Sequence, residues 1–155
     1  MRKSVLVAST ILAACGGNSG SAPTTPVASS GQAMREFMQA AADSNLTRMS
    51  QLWGSSRGPS AETREPAEYE RRLILIQAYL RADSSKVVSD VPVTGEDSRR
   101  RLVVAVYRSG GCMKQFPATL SKVKGAWFIT DMDLSSTGNP ARPCEGVTPP
   151  DGVTR

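Results

Sequence analysis

The hydrophobic pattern changes its period near residue 85, and this change constrains the fold more than any other feature of the chain. Before it, apolar residues recur at three- and four-residue spacing, as at Met34, Phe37, Met38 and Ala41. After it, apolar and polar residues alternate. The first spacing is that of one helix face and the second is that of a strand. Helices that precede strands, rather than alternating with them, predict an α+β domain.

Three helical stretches are predicted before the change of period. They are expected at 32–42, 46–53 and 66–82, with a break at Asp43 and Ser44 between the first two. Residues 54–64 are expected to form a loop, because Gly58-Pro59 interrupts regular structure.

Four strands are predicted after the change, at 86–93, 101–108, 112–123 and 126–134. Glycine-containing turns separate them, which predicts an antiparallel meander. The second strand is apolar on both faces from Leu102 to Tyr107 and is therefore expected to be central. Pro117 predicts a bulge or an edge position in the third strand, because proline has no N–H to donate.

The first fifteen residues have the composition of an export signal. Arg2 and Lys3 precede an apolar run that is too short to cross about 30 Å of hydrocarbon, and small residues follow it. The sequence Leu12-Ala13-Ala14-Cys15 resembles the lipobox of bacterial lipoproteins. The resemblance implies a signal peptide at 1–14, cleavage between Ala14 and Cys15, and a lipid anchor (a diacylglyceryl group and commonly palmitate) on Cys15.

The anchor would make membrane lipid a partner of the exported protein. Gly16 follows the cysteine where an aspartate commonly signals inner-membrane retention, so the outer membrane is favoured if the cell is Gram-negative. An ordinary secretory signal with a chance cysteine and a cytosolic apolar helix are the alternatives.

Two segments flank the expected domain, which spans 32–135. Residues 15–31 carry no charge and almost no bulky apolar side chain, which is typical of a flexible linker. Residues 136–155 contain four prolines and are expected to be a tail without a core of its own.

Two motifs resemble cystatin-like, nuclear-transport-factor-2-like (NTF2-like) domains. Residues 34–46 (MREFMQAAADSNL) are similar to the opening helix and break of that superfamily, and residues 124–129 (KGAWFI) are similar to its last hairpin. The resemblance implies a curved four-stranded sheet that wraps the N-terminal helices into a cone whose mouth is the usual pocket. The superfamily includes isomerases, dehydratases, transport adaptors and structural modules, so the fold alone does not give the function.

Catalytic candidates are few, because the chain contains no histidine. Asp131 and Asp133 are two residues apart on a predicted strand, so they would share a face and could act as acid and base. With Tyr107 as proton donor they define the alternative function, an isomerase or dehydratase acting in the cone pocket. The other interpretation is a solvated strand end. No metal or cofactor is expected.

Cys112 and Cys144 remain once Cys15 is acylated, and an even pair in an exported protein favours a disulfide over a metal site. The sheet region is basic. Its cations are Arg99, Arg100, Arg101, Arg108, Lys114, Lys122 and Lys124. They could attract an anionic lipid or another acidic polymer, or they could only deter pairing of strand edges. No aromatic residues are interleaved with them, which argues against nucleic acid.

The sequence thus favours a membrane-anchored lipoprotein whose domain binds a small ligand or a protein partner through the cone mouth or the sheet, without catalysis.

Overall fold

The computed structural model describes residues 26–145, which form helices packed on one face of a four-stranded antiparallel sheet. In chain order the elements are α1 (Ser30–Ala42), α2 (Leu46–Leu52), β1 (Gly54–Ser55), β2 (Gly58–Pro59), α3 (Ser60–Thr63), α4 (Tyr69–Leu80), β3 (Ser84–Val93), β4 (Glu96–Arg108), β5 (Cys112–Val123), β6 (Ala126–Met132) and a 3₁₀ helix (Leu134–Thr137). The predicted α+β class and the order of helices before strands are confirmed.

The helical hairpin of α1 and α2 forms where the sequence provides caps. The Ser29 hydroxyl accepts a hydrogen bond from the backbone N–H of Gln32 at the start of α1, and the Asn45 side chain accepts one from Arg48 at the start of α2. Ser44 lies in the left-handed region between them. The predicted break is therefore confirmed, with short polar side chains satisfying N–H groups that have no partner inside a helix.

The sheet has the order β3-β4-β5-β6, and alternation along its strands gives it one buried face. On β4, Leu102, Val104 and Val106 are fully buried, and Val104 lies opposite Phe116 of β5. This face packs against the apolar stripes of the helices, whose largest buried members are Met34, Phe37, Met49, Leu52, Leu73 and Leu80. β4 is an inner strand, as its apolar sequence predicted.

The prediction for Pro117 was wrong. β5 is an inner strand with Pro117 opposite Val103, and the bulge lies instead on β6 at Thr130, since Thr119 pairs with Asp131 and Leu120 with Ile129. β6 ends at Met132, opposite Ala118, so the ladder on that side of β5 stops beside Pro117. A missing N–H costs little at such a place.

The predicted loop at 54–64 contains regular structure. β1 and β2 form a two-stranded hairpin that pairs Gly54 with Pro59, and α3 follows directly. A Cβ on Gly54 would overlap the carbonyl oxygen of Gly58, so only glycine fits there.

The predicted linker boundary at residue 31 was also wrong. Val27 is only 5% exposed and belongs to the core, and its carbonyl oxygen accepts a hydrogen bond of 3.2 Å from the Trp127 N–H. Val27 is the largest apolar side chain in the predicted linker, and it covers the start of the β6 edge. The rest of the predicted linker up to residue 25, and the tail beyond residue 145, lie outside the described residues.

The predicted tail starts two residues too early, because Thr137 is fully buried and closes the 3₁₀ helix with a hydrogen bond to Leu134 O. Residues 134–137 pack beside β5 and α4. The ordered domain therefore continues past residue 135.

Trp127 is 7% exposed and lies in the core cluster. We expect Trp127→Ala to lower the free energy of unfolding by about 3–5 kcal/mol, because it removes a large buried side chain and leaves a cavity. Urea denaturation followed by circular dichroism measures the change. A loss below about 1 kcal/mol would show that the indole contributes little to the core.

Candidate functional site

The residues of the proposed acid–base site do not come together. Tyr107 lies opposite Met113, whereas Asp131 lies opposite Thr119. Met113 and Thr119 are six residues apart on β5, which places the two candidates about 20 Å apart along the sheet. Asp131 is exposed and Tyr107 is 39% exposed. The sequence-based constellation is therefore absent from this fold.

Asp133 is not on the strand face that the sequence predicted. β6 ends at Met132, and the Asp133 carboxylate caps the 3₁₀ helix by accepting hydrogen bonds from the Ser135 hydroxyl and from the Ser135 N–H at 3.0 Å. These two bonds lower the pKa of Asp133. An exposed carboxylate that stays ionised suits a cap and not a shared-proton pair.

The interior between helices and sheet is filled by side chains. The residues facing each other there, among them Phe37, Met49, Val104 and Phe116, are fully buried. The resemblance left open whether the cone is hollow or filled, and at these positions it is filled by side chains.

A surface cavity lies beside Trp127, smaller but more enclosed than four other cavities on the surface of residues 26–145, and we call it the hairpin cavity. It has a volume of about 180 Å³ and opens between the β5–β6 hairpin, the end of α2, the β1–β2 hairpin and the segment that enters α1. Its lining consists of Pro26, Val27, Gln51, Leu52, Arg57, Gly58, Pro59, Glu62, Val123, Lys124, Ala126, Trp127 and Phe128. The walls are apolar and the charged groups stand among them, which is the usual composition of a small-ligand site.

The charged groups around the hairpin cavity differ in the contacts that they make. Arg57 forms an ion pair with Glu65, which holds the guanidinium on the β1–β2 side. The Lys122 ammonium lies 6.0 Å from the centre of the Trp127 ring, at the outer limit of a cation–π contact. Lys124 and Glu62 contribute one charge of each sign to the lining. The cavity can thus contact an apolar group together with a polar or charged end.

The opposite end of the sheet is closed by a buried arginine. Arg108 donates to the carbonyl oxygens of Arg81 (2.9 Å), Tyr79 (2.7 Å) and Thr137 (3.0 Å). Two of these carbonyls belong to the C-terminal end of α4, where the helix dipole is negative and carbonyls lack helical partners. Burial lowers the pKa of Arg108. The cation is structural, and it joins α4, β4 and the C-terminal segment.

Cys112 and Cys144 form a disulfide, with their Cα atoms 5.6 Å apart. Cys112 lies opposite Arg108 in the β4–β5 ladder. The bond therefore fixes the C-terminal segment at the end of the sheet that the arginine closes.

The basic run at 99–101 does not form a single patch. Arg99 pairs with Glu96 at 3.0 Å, and Arg100 pairs with Asp90 at 2.7 Å on the helix-covered face. Arg101 is exposed on the other face. Strand alternation separates neighbouring charges in this way.

Within residues 26–145, no cluster of three or more histidine, cysteine or acidic residues could hold a metal ion. No helix in that range is long and apolar enough to cross a membrane. Ala14 and Cys15, the predicted cleavage and lipidation residues, lie outside the described residues.

No protein-family model and no curated protein matches the chain. Among solved structures, it is similar to an NTF-2 like protein of unknown function from Shewanella oneidensis MR-1, with 15% identity over 64% of this chain and 94% of that one. The TM-score of 0.39 is too low for this likeness to bear on function. The α+β architecture rests on the helices and the strand order given above.

Sequence reasoning missed the roles of Arg108 and Val27. A signal for Arg108 was present, because it is in phase with Leu102, Val104 and Val106 and should face the same side as they do. Val27 offered a weaker signal, a single larger apolar residue in a stretch of small and polar ones.

We expect Arg108→Met to lower the free energy of unfolding by about 3 kcal/mol, because three buried or partly buried carbonyl oxygens lose a charged donor. Arg101→Met is the matched control, an exposed arginine on the same strand, and should change stability by less than about 0.5 kcal/mol. Urea denaturation measures both. Equal effects of the two substitutions would contradict a structural role for Arg108.

Proposed function

We propose that the protein is a lipoprotein, anchored to a membrane through acylated Cys15, whose exported NTF2-like domain binds a small ligand or one side chain of a protein partner in the hairpin cavity, without catalysis. The observation that carries the anchor is the lipobox-like sequence Leu12-Ala13-Ala14-Cys15 behind a short basic and apolar segment. Two or three acyl chains hold a protein far more firmly than the single chain that gives marginal binding.

The disulfide supports export. Disulfides persist in oxidising compartments and are rare in the cytosol, and Cys112 and Cys144 are the two cysteines that acylation of Cys15 would leave. Gly16 favours the outer membrane, at its periplasmic face or at the cell surface, if the cell is Gram-negative.

The hairpin cavity supports binding of a small group. Its volume of about 180 Å³ is below the roughly 300 Å³ at which pockets begin to take drug-sized ligands. Its apolar walls are Trp127, Phe128, Pro59 and Val27, with charges of both signs beside them. A compact apolar or aromatic group with one polar end matches this lining.

Cys15→Ala should abolish incorporation of radiolabelled palmitate and should leave an uncleaved precursor, because the thiol is the acyl acceptor. Cys144→Ser is the control for loss of a cysteine, and its labelling should equal that of the unchanged protein. Metabolic labelling followed by electrophoresis measures both. Label that persists in the Cys15→Ala protein would contradict the anchor.

Ala126→Leu should fill the hairpin cavity and weaken binding of small aromatic fragments, such as fluorinated phenols, at least tenfold. Ala42→Leu, which enlarges an exposed alanine outside the cavity, is the control and should leave binding unchanged. Broadening of the fragment ¹⁹F resonance measures the affinity. Equal broadening with all three proteins would place the fragments elsewhere and would contradict the site.

A further inference from the structure

The outer face of the sheet carries large apolar side chains that no described element covers. The exposed fractions are 49% for Val91, 39% for Tyr107 and 45% for Met113. Tyr107 lies directly opposite Met113. Val91 lies opposite Arg101, and half-buried Val103 lies on β4 between Arg101 and Tyr107. These residues occupy three adjacent strands along about 20 Å of the outer face, and we call this strip the outer patch.

Two cations lie within the outer patch. Lys86 is opposite Ala105 and Arg101 is opposite Val91, so both side chains stand on the same face as Tyr107. Both are exposed, and neither takes part in an ion pair among residues 26–145. Long cationic side chains can lay their methylenes on apolar neighbours while their charges reach outward.

The acidic side chains of this face lie away from the centre of the patch. Asp97 is near the β3–β4 turn, and its neighbour Arg99 is balanced by Glu96. Asp131 is on β6, at the opposite edge of the sheet from Val91. Lys86 is therefore the cation nearest the centre of the patch, whereas Arg101 lies at one end of it, in the same cross-strand row as Asp131 and two strands away.

The anchor brings this face within reach of lipid. Ten residues separate Cys15 from Pro26, the first described residue. The Cα atoms of Cys15 and Pro26 can therefore be at most about 40 Å apart when the chain between them is fully extended. The chain enters the fold at Val27 beside β6, and β3 is about 15 Å away across the sheet. The outer patch can therefore lie on the same membrane that holds Cys15.

We propose that the outer patch rests on the surface of a membrane that contains anionic lipid. Lys86 and Arg101 contact the phosphate groups, and Val91, Tyr107 and Met113 enter the region between headgroups and acyl chains. An apolar surface with cations and an aromatic hydroxyl matches that boundary. This inference rests on the proposed lipid anchor for its membrane, but the patch and the anchor are tested separately.

The test uses the full chain with a tryptophan reporter and vesicles that contain brominated phosphatidylglycerol in phosphatidylcholine. Bromine quenches only indoles that are close to the acyl chains. We expect Tyr107→Trp to be quenched in the acylated chain. Leu75→Trp, at a 57% exposed position on α4, is the matched control and should not be quenched. The unchanged chain gives the background of Trp53 and Trp127.

Charge is tested in the Tyr107→Trp chain. Lys86→Gln and Arg101→Gln should each lower partitioning of the unacylated chain, made without residues 1–15, onto the anionic vesicles roughly fivefold. Arg71→Gln removes an exposed cation from α4 and is the control. On vesicles of phosphatidylcholine alone, which carry no net charge, the partitioning of these variants should be equal.

The outcomes separate the two proposals. A chain bearing Cys15 that fails to float with any vesicles contradicts the anchor alone, and quenching of Tyr107→Trp by added anionic vesicles then still supports the patch. Absence of that quenching in both the acylated chain and the chain made without residues 1–15 overturns the patch. Equal quenching of Leu75→Trp overturns it as well. A dimer in sedimentation that Tyr107→Glu dissociates shows that a second copy covers the patch, and also overturns it.

Discussion

A four-stranded sheet has two faces, and the helices of this domain cover one of them. Leu102, Val104 and Val106 of β4 are fully buried under α1, α2 and α4, and burial of such side chains is the main favourable term in folding. The helices must lie close to the sheet to achieve it, so the interior is filled. The polar and charged side chains that could contact a ligand or a membrane therefore lie at the ends of the sheet and on its outer face. The hairpin cavity and the outer patch follow from this one constraint.

The edge of the sheet is closed by backbone groups of core residues, and its far end is closed by a buried cation. On the edge of β6, Val27 accepts a hydrogen bond from Trp127, and Trp53 forms a bridge to Ile129. These contacts occupy groups that could otherwise pair with another strand. At the far end, Arg108 supplies the donors that the last turn of α4 lacks. The first group of contacts also builds a wall of the hairpin cavity, so edge protection and the candidate site share residues.

Most of the fold could be predicted from the sequence, because periodicity reports burial directly. The helical stripe at Met34 and Phe37 and the alternation from Leu102 gave the helices, the strands and their order. What the sequence could not give depends on contacts between distant segments. The hairpin cavity needs residues near 26, 52, 58 and 127 to meet. Asp133 is not on the predicted strand face, because β6 ends two residues earlier than predicted and Asp133 instead caps the 3₁₀ helix through Ser135. Hydrophobic periodicity does not report such a local hydrogen bond.

The Cys112–Cys144 bond closes a covalent ring with a sequence separation of 32, and this ring contains β5, β6 and the 3₁₀ helix. Under the anchor proposed above, a pull on a bound partner would load the chain from its N-terminal end. Under such a load, helices and strands before residue 112 can extend, whereas the ring can only be drawn tight, since a covalent bond spans it. The extensible part of the domain is therefore the part nearest the tether, and the strands that carry Trp127 remain in one closed loop while the rest lengthens.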